Sequence, residues 1–268
     1  MIKNTVKKLL YYLIYYKLRD VKRFENIHEG EECYIFGGGN SLKYMDFRYF
    51  KDRKSIVMNY LPFHNDFKQL DCVYATLIAP FFFSKYLGKY PDNFKKHQYL
   101  IALCYKKLIE KNKDVNFFMS ATNFFYVGRN NLTNVFAHFP GKKKSLSDEI
   151  DCFTGGLRFS VALANYMGFS RVYLVGCDYT FEPARHHHWF EKGNGLIKNI
   201  ESYEKKFFDI VQKHVEIKTV TLNGTSKVLP SVTYKELTGI DPLYRENSEL
   251  MDSKYLKILK QWPEFSID

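Results

Sequence analysis

The chain has 268 residues, 46% hydrophobic and 26% charged, with 15 glycines and 8 prolines, which excludes a disordered, collagenous or low-complexity protein. Its 40 lysines and arginines against 29 acids give a net charge of +11, a balance that favours anionic partners such as nucleotides, phosphorylated glycans, anionic lipid or nucleic acid. The five cysteines, Cys33, Cys72, Cys104, Cys152 and Cys177, are odd in number and form no CxxC pair. That argues against a disulfide scaffold or a zinc ribbon and for a reducing, cytoplasmic setting, with Cys33, Cys72, Cys104 and Cys177, in apolar strand-like runs, as buried inert thiols.

The N-terminus carries Ile2, Val6, Leu9, Leu10, Leu13 and Ile14 at helical spacing among seven basic residues from Lys3 to Arg23. The apolar run between Lys8 and Lys17 falls far short of the roughly 20 residues a spanning helix needs, and no A-x-A-like cleavage site follows. Residues 1–28 therefore read as a basic amphipathic helix. It either packs on the domain or lies, through residues 1–25, peripherally on the anionic inner face of the cytoplasmic membrane, with Tyr11, Tyr12, Tyr15 and Tyr16 near the headgroups.

Downstream, Glu32 to Phe36 predicts a short apolar strand, followed by the loop Gly37-Gly38-Gly39-Asn40-Ser41-Leu42. A short helix is expected over Asp46 to Lys51, and strands over Ser55 to Asn59, Asp71 to Thr76 and Gln98 to Tyr105, with one or two more between Val115 and Val127. Gly141-Lys142-Lys143-Lys144 reads as an exposed loop tip. Residues 157–167 predict a buried helix stopped by Gly168, and Arg171 to Gly176 a buried strand. A helix from Leu196 to His214 leads into a last strand, Glu216 to Leu222. Apolar strands alternating with helices imply an α/β fold: a single doubly wound, mostly parallel sheet, Rossmann-like and GT-A-like. The α/β domain spans 29–240, and 241–268 form a C-terminal tail or helix.

In such sheets ligands bind beyond the carboxyl ends of the strands. The glycine loop from Gly37 to Ser41 can present bare amides to a phosphate; it also serves as a plain tight turn, and it is neither GxGxxG nor a Walker loop. Asn59, at a strand end, can read a base or ribose, or can simply start a turn. Thr154-Gly155-Gly156 ahead of a helix is an anion seat, although Thr154 alone is equally an N-cap. Asp178 and Tyr179 follow a buried strand, where a carboxylate either faces the cleft or sits in a solvated turn. Three consecutive histidines, His186, His187 and His188, cannot all point one way. No metal site is expected of them, and one imidazole serving as general base suits chemistry near neutrality.

FGGGNSLK, the strand ending in Asn59, FTGG before a helix, and MGFSRVYLVGCDYTF together resemble the bacterial CMP-sialic acid sialyltransferases of glycosyltransferase family 42. They are also similar to the wider superfamily of 6-hydroxymethylpterin diphosphokinase-like and flagellin-glycosylating motility accessory proteins. Val215 to Leu237 resembles that superfamily's closing strand-turn-helix, so the likeness runs from about Cys33 to Leu237. It implies that Gly37, Gly39 and Ser41 embrace cytidine monophosphate, that Asn59 contacts the nucleotide, and that Thr154 and Gly155 hold its phosphate or ribose. A histidine downstream of the Gly-x-Asp strand would be the base, with His188 preferred over His186 and His187. The chain departs from the family pattern at Gly38, Asn40, Asp151 and Thr180, where the family usually has Asn, Pro, Arg and Tyr.

The function so implied is an inverting, metal-independent glycosyltransferase, moving a sialic acid-like or other sugar from a CMP-activated donor onto a cell-surface glycan such as lipopolysaccharide or capsule. Its expected partners are that donor and a glycan or glycolipid acceptor, with a homo-oligomer left open and no cofactor required. Nucleic acid is not expected, because the basic residues are dispersed or N-terminal and no recognised motif is present. One alternative is a Mg²⁺-dependent diphosphokinase using Asp178 and Glu182; another is a non-catalytic, membrane-attached nucleotide- or glycan-binding module.

Overall fold

Short runs rich in β-branched and aromatic residues become the strands of one parallel sheet. The computed structural model describes residues 20–78, 92–120, 123–124, 134–138, 155–195, 197–198 and 205–268. Eight strands pair in the order β10-β9-β6-β1-β2-β3-β4-β5. They are β1 (Glu32–Phe36), β2 (Lys54–Met58), β3 (Cys72–Leu77), β4 (Asn116–Ser120), β5 (Val135–His138), β6 (Arg171–Val175), β9 (Glu216–Thr221) and β10 (Ser231–Thr233). Every pairing in this sheet is parallel. A separate antiparallel pair joins β7 (Ala184–Arg185) to β8 (Ile197–Lys198).

The chain runs outward from β1 through β5 on one side, then returns to lay β6, β9 and β10 on the other. The order therefore reverses between β1 and β6, which is where doubly wound sheets open a ligand crevice. Register makes the crevice sharp. Phe36 lies opposite both Val57 and Val175, so β1, β2 and β6 end level and release their loops side by side.

Period-two alternation splits the core into two layers. Tyr34, Phe36, Val57, Ala75, Phe117 and Val175 face α1 (Asp92–Lys111) and the C-terminal helices α5 (Asn247–Leu250) and α6 (Ser253–Leu259). Cys33, Ile35, Ile56, Val172 and Leu174 face α2 (Gly156–Tyr166) and α3 (Lys205–Val211). Helix α2 buries every residue from Phe159 to Ala164; each fully buried Phe, Val or Leu contributes about 1.5–3 kcal/mol. The capping box of Thr233 with Glu236 starts α4 (Tyr234–Thr238) directly from the edge strand β10.

Three expectations are corrected. Gln98 to Tyr105 is not a strand but the middle of α1: Ile101, Tyr105 and Ile109 are buried at four-residue spacing while Tyr99 and Leu103 stay exposed, a helical period that an eight-residue window truncates. The helix expected from Leu196 is confined, among the described residues, to Lys205–Val211, because Ile197–Lys198 instead pairs with Ala184–Arg185. Glu216–Thr221 is not the last strand, since β10 adds a parallel edge beyond it. β5, only four residues long, was not foreseen. β7 and β8 were not expected either, and β4 falls inside the expected stretch Val115 to Val127; β1, β2, β3, β6, β9 and the helix over Gly156–Tyr166 stand within one or two residues of expectation.

The basic helix expected in residues 1–28 lies mostly outside the described residues, as do Gly141 to Lys144. Its described end packs down: Phe24 meets Tyr74, Phe118 and Phe136 edge-on, and His28 Nε2 hydrogen-bonds the Tyr74 hydroxyl at 2.6 Å. Among the described residues no helix is long and apolar enough to cross a membrane.

Candidate active site

A cavity of about 180 Å³ opens at the switch point, walled by Gly37 to Gly39, Met58, Asn59, Leu157, Gly176 to Thr180, Arg185, His187 and His188. Four loops meet there because β1, β2 and β6 end level and α2 starts beside them.

The floor is two strand ends pressed together. Gly37 N–H donates to the Val175 carbonyl and Gly39 N–H to that of Gly176, both at 2.8 Å. A Cβ on Gly37 would overlap the Gly176 carbonyl, and one on Gly39 would overlap the Asp178 carboxylate. Glycine is thus required at both positions for close approach. Ser41 closes the contact by donating its N–H and its hydroxyl to the two oxygens of Asp178, at 2.9 and 2.5 Å. Asp178 is 1% exposed, and burial pushes its carboxyl up to about 6 against the pull of the Ser41 bonds.

Asn59 takes a left-handed backbone (φ 50°) at the end of β2, its carbonyl accepting the Tyr105 hydroxyl. Its side-chain amide lies against Gly156 at the start of α2, so the second and third predicted loops converge on one wall. Thr154 lies outside the described residues. Gly155 is the N-cap of α2, without a side-chain cap bond of its own.

The opposite wall is the histidine loop. His188 Nδ1 lies 2.8 Å from Glu191 Oε1, which also accepts the His188 backbone N–H at 2.8 Å. His187 Nδ1 lies 3.1 Å from Glu191 Oε2, and that oxygen accepts Ser266 N–H at 2.9 Å. Burial disfavours the charged form of Glu191, but the His188 side chain and the two backbone donors outweigh it and hold the carboxyl down at about 2. A carboxylate can only accept, so Nδ1 of His188 carries its hydrogen, and in the neutral ring Nε2 is the nitrogen with the lone pair. The imidazole stacks on Phe190 (4.9 Å, 11°) and meets Phe265 edge-on. His188 is therefore held from below while its side chain stays about half exposed.

The remaining predicted residues fall around these walls. His186 is outside the cavity lining, its ring edge-on to Tyr179 at 5.9 Å. Asn40 is buried and reaches the carbonyls of His188 and Gly193, at 3.5 and 3.4 Å, tying the glycine loop to the histidine loop. Tyr179 lines the cleft and is 46% exposed. Glu182 pairs with Lys227 at 2.8 Å, and Asp178 accepts from Ser41. Among the described residues no three His, Cys, Asp or Glu side chains converge to hold a metal ion.

Sequence reasoning missed Glu191. Its signal was the spacing His188-x-x-Glu191, which lets a carboxylate turn back onto a histidine three residues earlier. It also missed the contribution of the C-terminal segment. Buried Lys43 bonds the Gly193 carbonyl and Glu246 at 2.6 and 2.8 Å, and Asn247 reaches the carbonyls of Phe190 and Ile267. Residues near both ends of the described chain thus brace the histidine loop from behind.

Fold and site define a doubly wound α/β protein whose eight-stranded sheet is parallel throughout, with a cleft at the switch point. No protein-family model matches the chain, and no curated protein matches it in sequence. Among solved structures, it is similar to the sialyltransferase CstII from Campylobacter jejuni in complex with cytidine-5'-monophosphate: 14% identity over 87% of this chain and 98% of that one, with a TM-score of 0.44. A second structure of CstII, in complex with CMP-3FNeuAc, gives 15% identity over 86% and 99%, with a TM-score of 0.45.

Proposed function

We propose that the protein is a glycosyltransferase that moves a sugar from a CMP-activated donor onto a glycan hydroxyl with inversion. The observation that carries this reading is the Glu191–His188 pair at the mouth of the switch-point cleft. A carboxylate fixed on Nδ1 leaves Nε2 as a base, the arrangement needed to take a proton from an attacking hydroxyl.

In this mechanism the nucleotide lies over Gly37 to Gly39 with Asn59 against its base or ribose, and its phosphate sits toward the start of α2 and the Tyr179 hydroxyl. His188 Nε2 removes the acceptor proton. The acceptor oxygen then attacks the anomeric carbon as the bond to the phosphate oxygen breaks, and CMP leaves with that electron pair. Charge on the departing phosphate is offset by N–H groups at the helix start. No step calls for a metal ion. An acceptor such as lipopolysaccharide or capsule, and a basic N-terminus resting on the membrane, complete the proposal from the +11 charge and the helical pattern of residues 1–25.

The test is a thermal-shift series followed by turnover of a CMP-sugar. CMP without Mg²⁺ should stabilise the protein by about 2.7 kcal/mol at 100 times its Kd. His188→Ala should keep that stabilisation while losing about 10²–10⁴-fold in kcat. A shift that requires ATP and Mg²⁺, or full turnover by His188→Ala, would overturn the proposal.

A further inference from the structure

Every other residue on the cavity wall is neutral, a histidine or the buried Asp178; Arg185 alone among the described lining residues carries a permanent positive charge. Its position is fixed in advance. Nη1 donates to the Asn194 carbonyl at 2.7 Å, and the guanidinium carbon stands 4.8 Å over the Tyr44 ring. One N–H and one flat face are used, and neither partner is an anion. A guanidinium carries five N–H donors in a rigid fork that matches an oxyanion. Arg185, at the end of β7, shares the cavity lining with Asp178 of the strand-end floor and with His187 and His188 of the histidine wall. Its charge reaches Asp178, pulling that carboxyl down against burial. Because the side chain is already held by two contacts, little conformational freedom is lost when a ligand arrives.

We propose that Arg185 is the anion-binding residue of the cleft, gripping an oxyanion of the donor through its remaining N–H groups. This rests on reading the cleft as a donor site. The oxyanion is either the nucleotide phosphate or a carboxylate on the transferred sugar, and both offer the same paired oxygens to the fork.

The experiment measures calorimetric affinities of the full chain and of Arg185→Gln and Arg185→Lys for cytidine, CMP, CMP-N-acetylneuraminic acid, UMP, AMP and GMP. The expected result is that Arg185→Gln loses about 10–100-fold for CMP with cytidine changed less than twofold, and Arg185→Lys falls between. A loss confined to CMP-N-acetylneuraminic acid supports the proposal with the sugar carboxylate as the oxyanion; an equal loss with CMP assigns the phosphate. Parallel losses for cytidine and CMP would mean a merely structural role and overturn it. Wild-type binding of CMP with neither ligand affected would overturn the role of Arg185 and leave the donor reading intact. Arg185-dependent binding of UMP, AMP or GMP but not CMP would do the reverse, and no binding by any nucleotide would sink both. Should Arg185→Gln fail to fold, wild-type affinities in Arg185→Lys would overturn the proposal, since an ammonium cannot reproduce the fork.

Discussion

Asp178, on the strand-end floor of the cleft, and Glu191, behind the histidines of the opposite wall, are almost equally hidden, 1% and 2% exposed. Burial raises Asp178 to about 6, whereas Glu191 is held at about 2 despite burial. The difference lies in the donors. Asp178 receives one N–H and one hydroxyl from Ser41, both neutral. Glu191 receives two backbone N–H groups and two imidazoles, which can carry positive charge. Depth alone therefore does not set the charge of a carboxyl; the number and kind of its partners do. One carboxyl is held charged by backbone and imidazole donors, and the other, with neutral donors alone, is raised by burial.

The comparison breaks most visibly at Glu191. Glu191→Gln should lower kcat by about 10–100-fold by freeing the imidazole and cost about 1.5–3 kcal/mol of stability at pH 7. Because the folded carboxyl lies below its ordinary value, Glu191 contributes fully above about pH 4.3, and that contribution disappears as pH falls toward 2. Urea titrations should show the acid-side decline flattened in Glu191→Gln; an unchanged decline would place the stabilising charge elsewhere.

Asp178 should show the opposite sign. A folded value near 6 against an ordinary value of about 3.9 makes the native state lose stability as pH rises from about 4 to 6, by about 3 kcal/mol. Asp178→Asn keeps an oxygen for Ser41 and cannot ionise. Its Tm should fall below wild type at pH 4.5 and approach or exceed it at pH 8. Parallel Tm curves would show that Asp178 titrates normally.

The smallest expected effect separates neighbouring glycines. Gly39→Ala forces a methyl group into the Asp178 carboxylate and should cost about 1–3 kcal/mol. Gly38→Ala meets only His188 Cδ2 at 3.5 Å and should stay within about 0.5 kcal/mol of wild type. Equal losses would mean that the loop, rather than the Asp178 contact, sets the requirement.

Much of the scaffold was legible because its signals are local. The strand at Glu32–Phe36 and the buried helix near 157–167 are apolar runs closed by glycine, and strand alternation with helices implies parallel pairing. Where a period needed more than eight residues, as in Asp92–Lys111, or a strand fewer than five, as in Val135–His138, the pattern misled or vanished. The site divides the same way. Gly37, Gly39, Asn59 and Asp178 stand at strand ends, where the chain order alone marks them. Glu191, Ser266 and Lys43 act through partners three to 203 residues away, and no window contains both members of the distant pairs.

The sequence by itself determined the elements around the cleft, β1, β2, β6 and the helix over Gly156–Tyr166, and the loops that leave their ends, because backbone periodicity and turn chemistry are short-range. Only the tertiary structure decided that β6 lies beside β1, that Ser41 closes on Asp178, and that Glu191 holds the His188 ring by its Nδ1. Those outcomes depend on the level register of three strands and on a C-terminal segment folding back across the sheet, and so on free energies summed over the whole core.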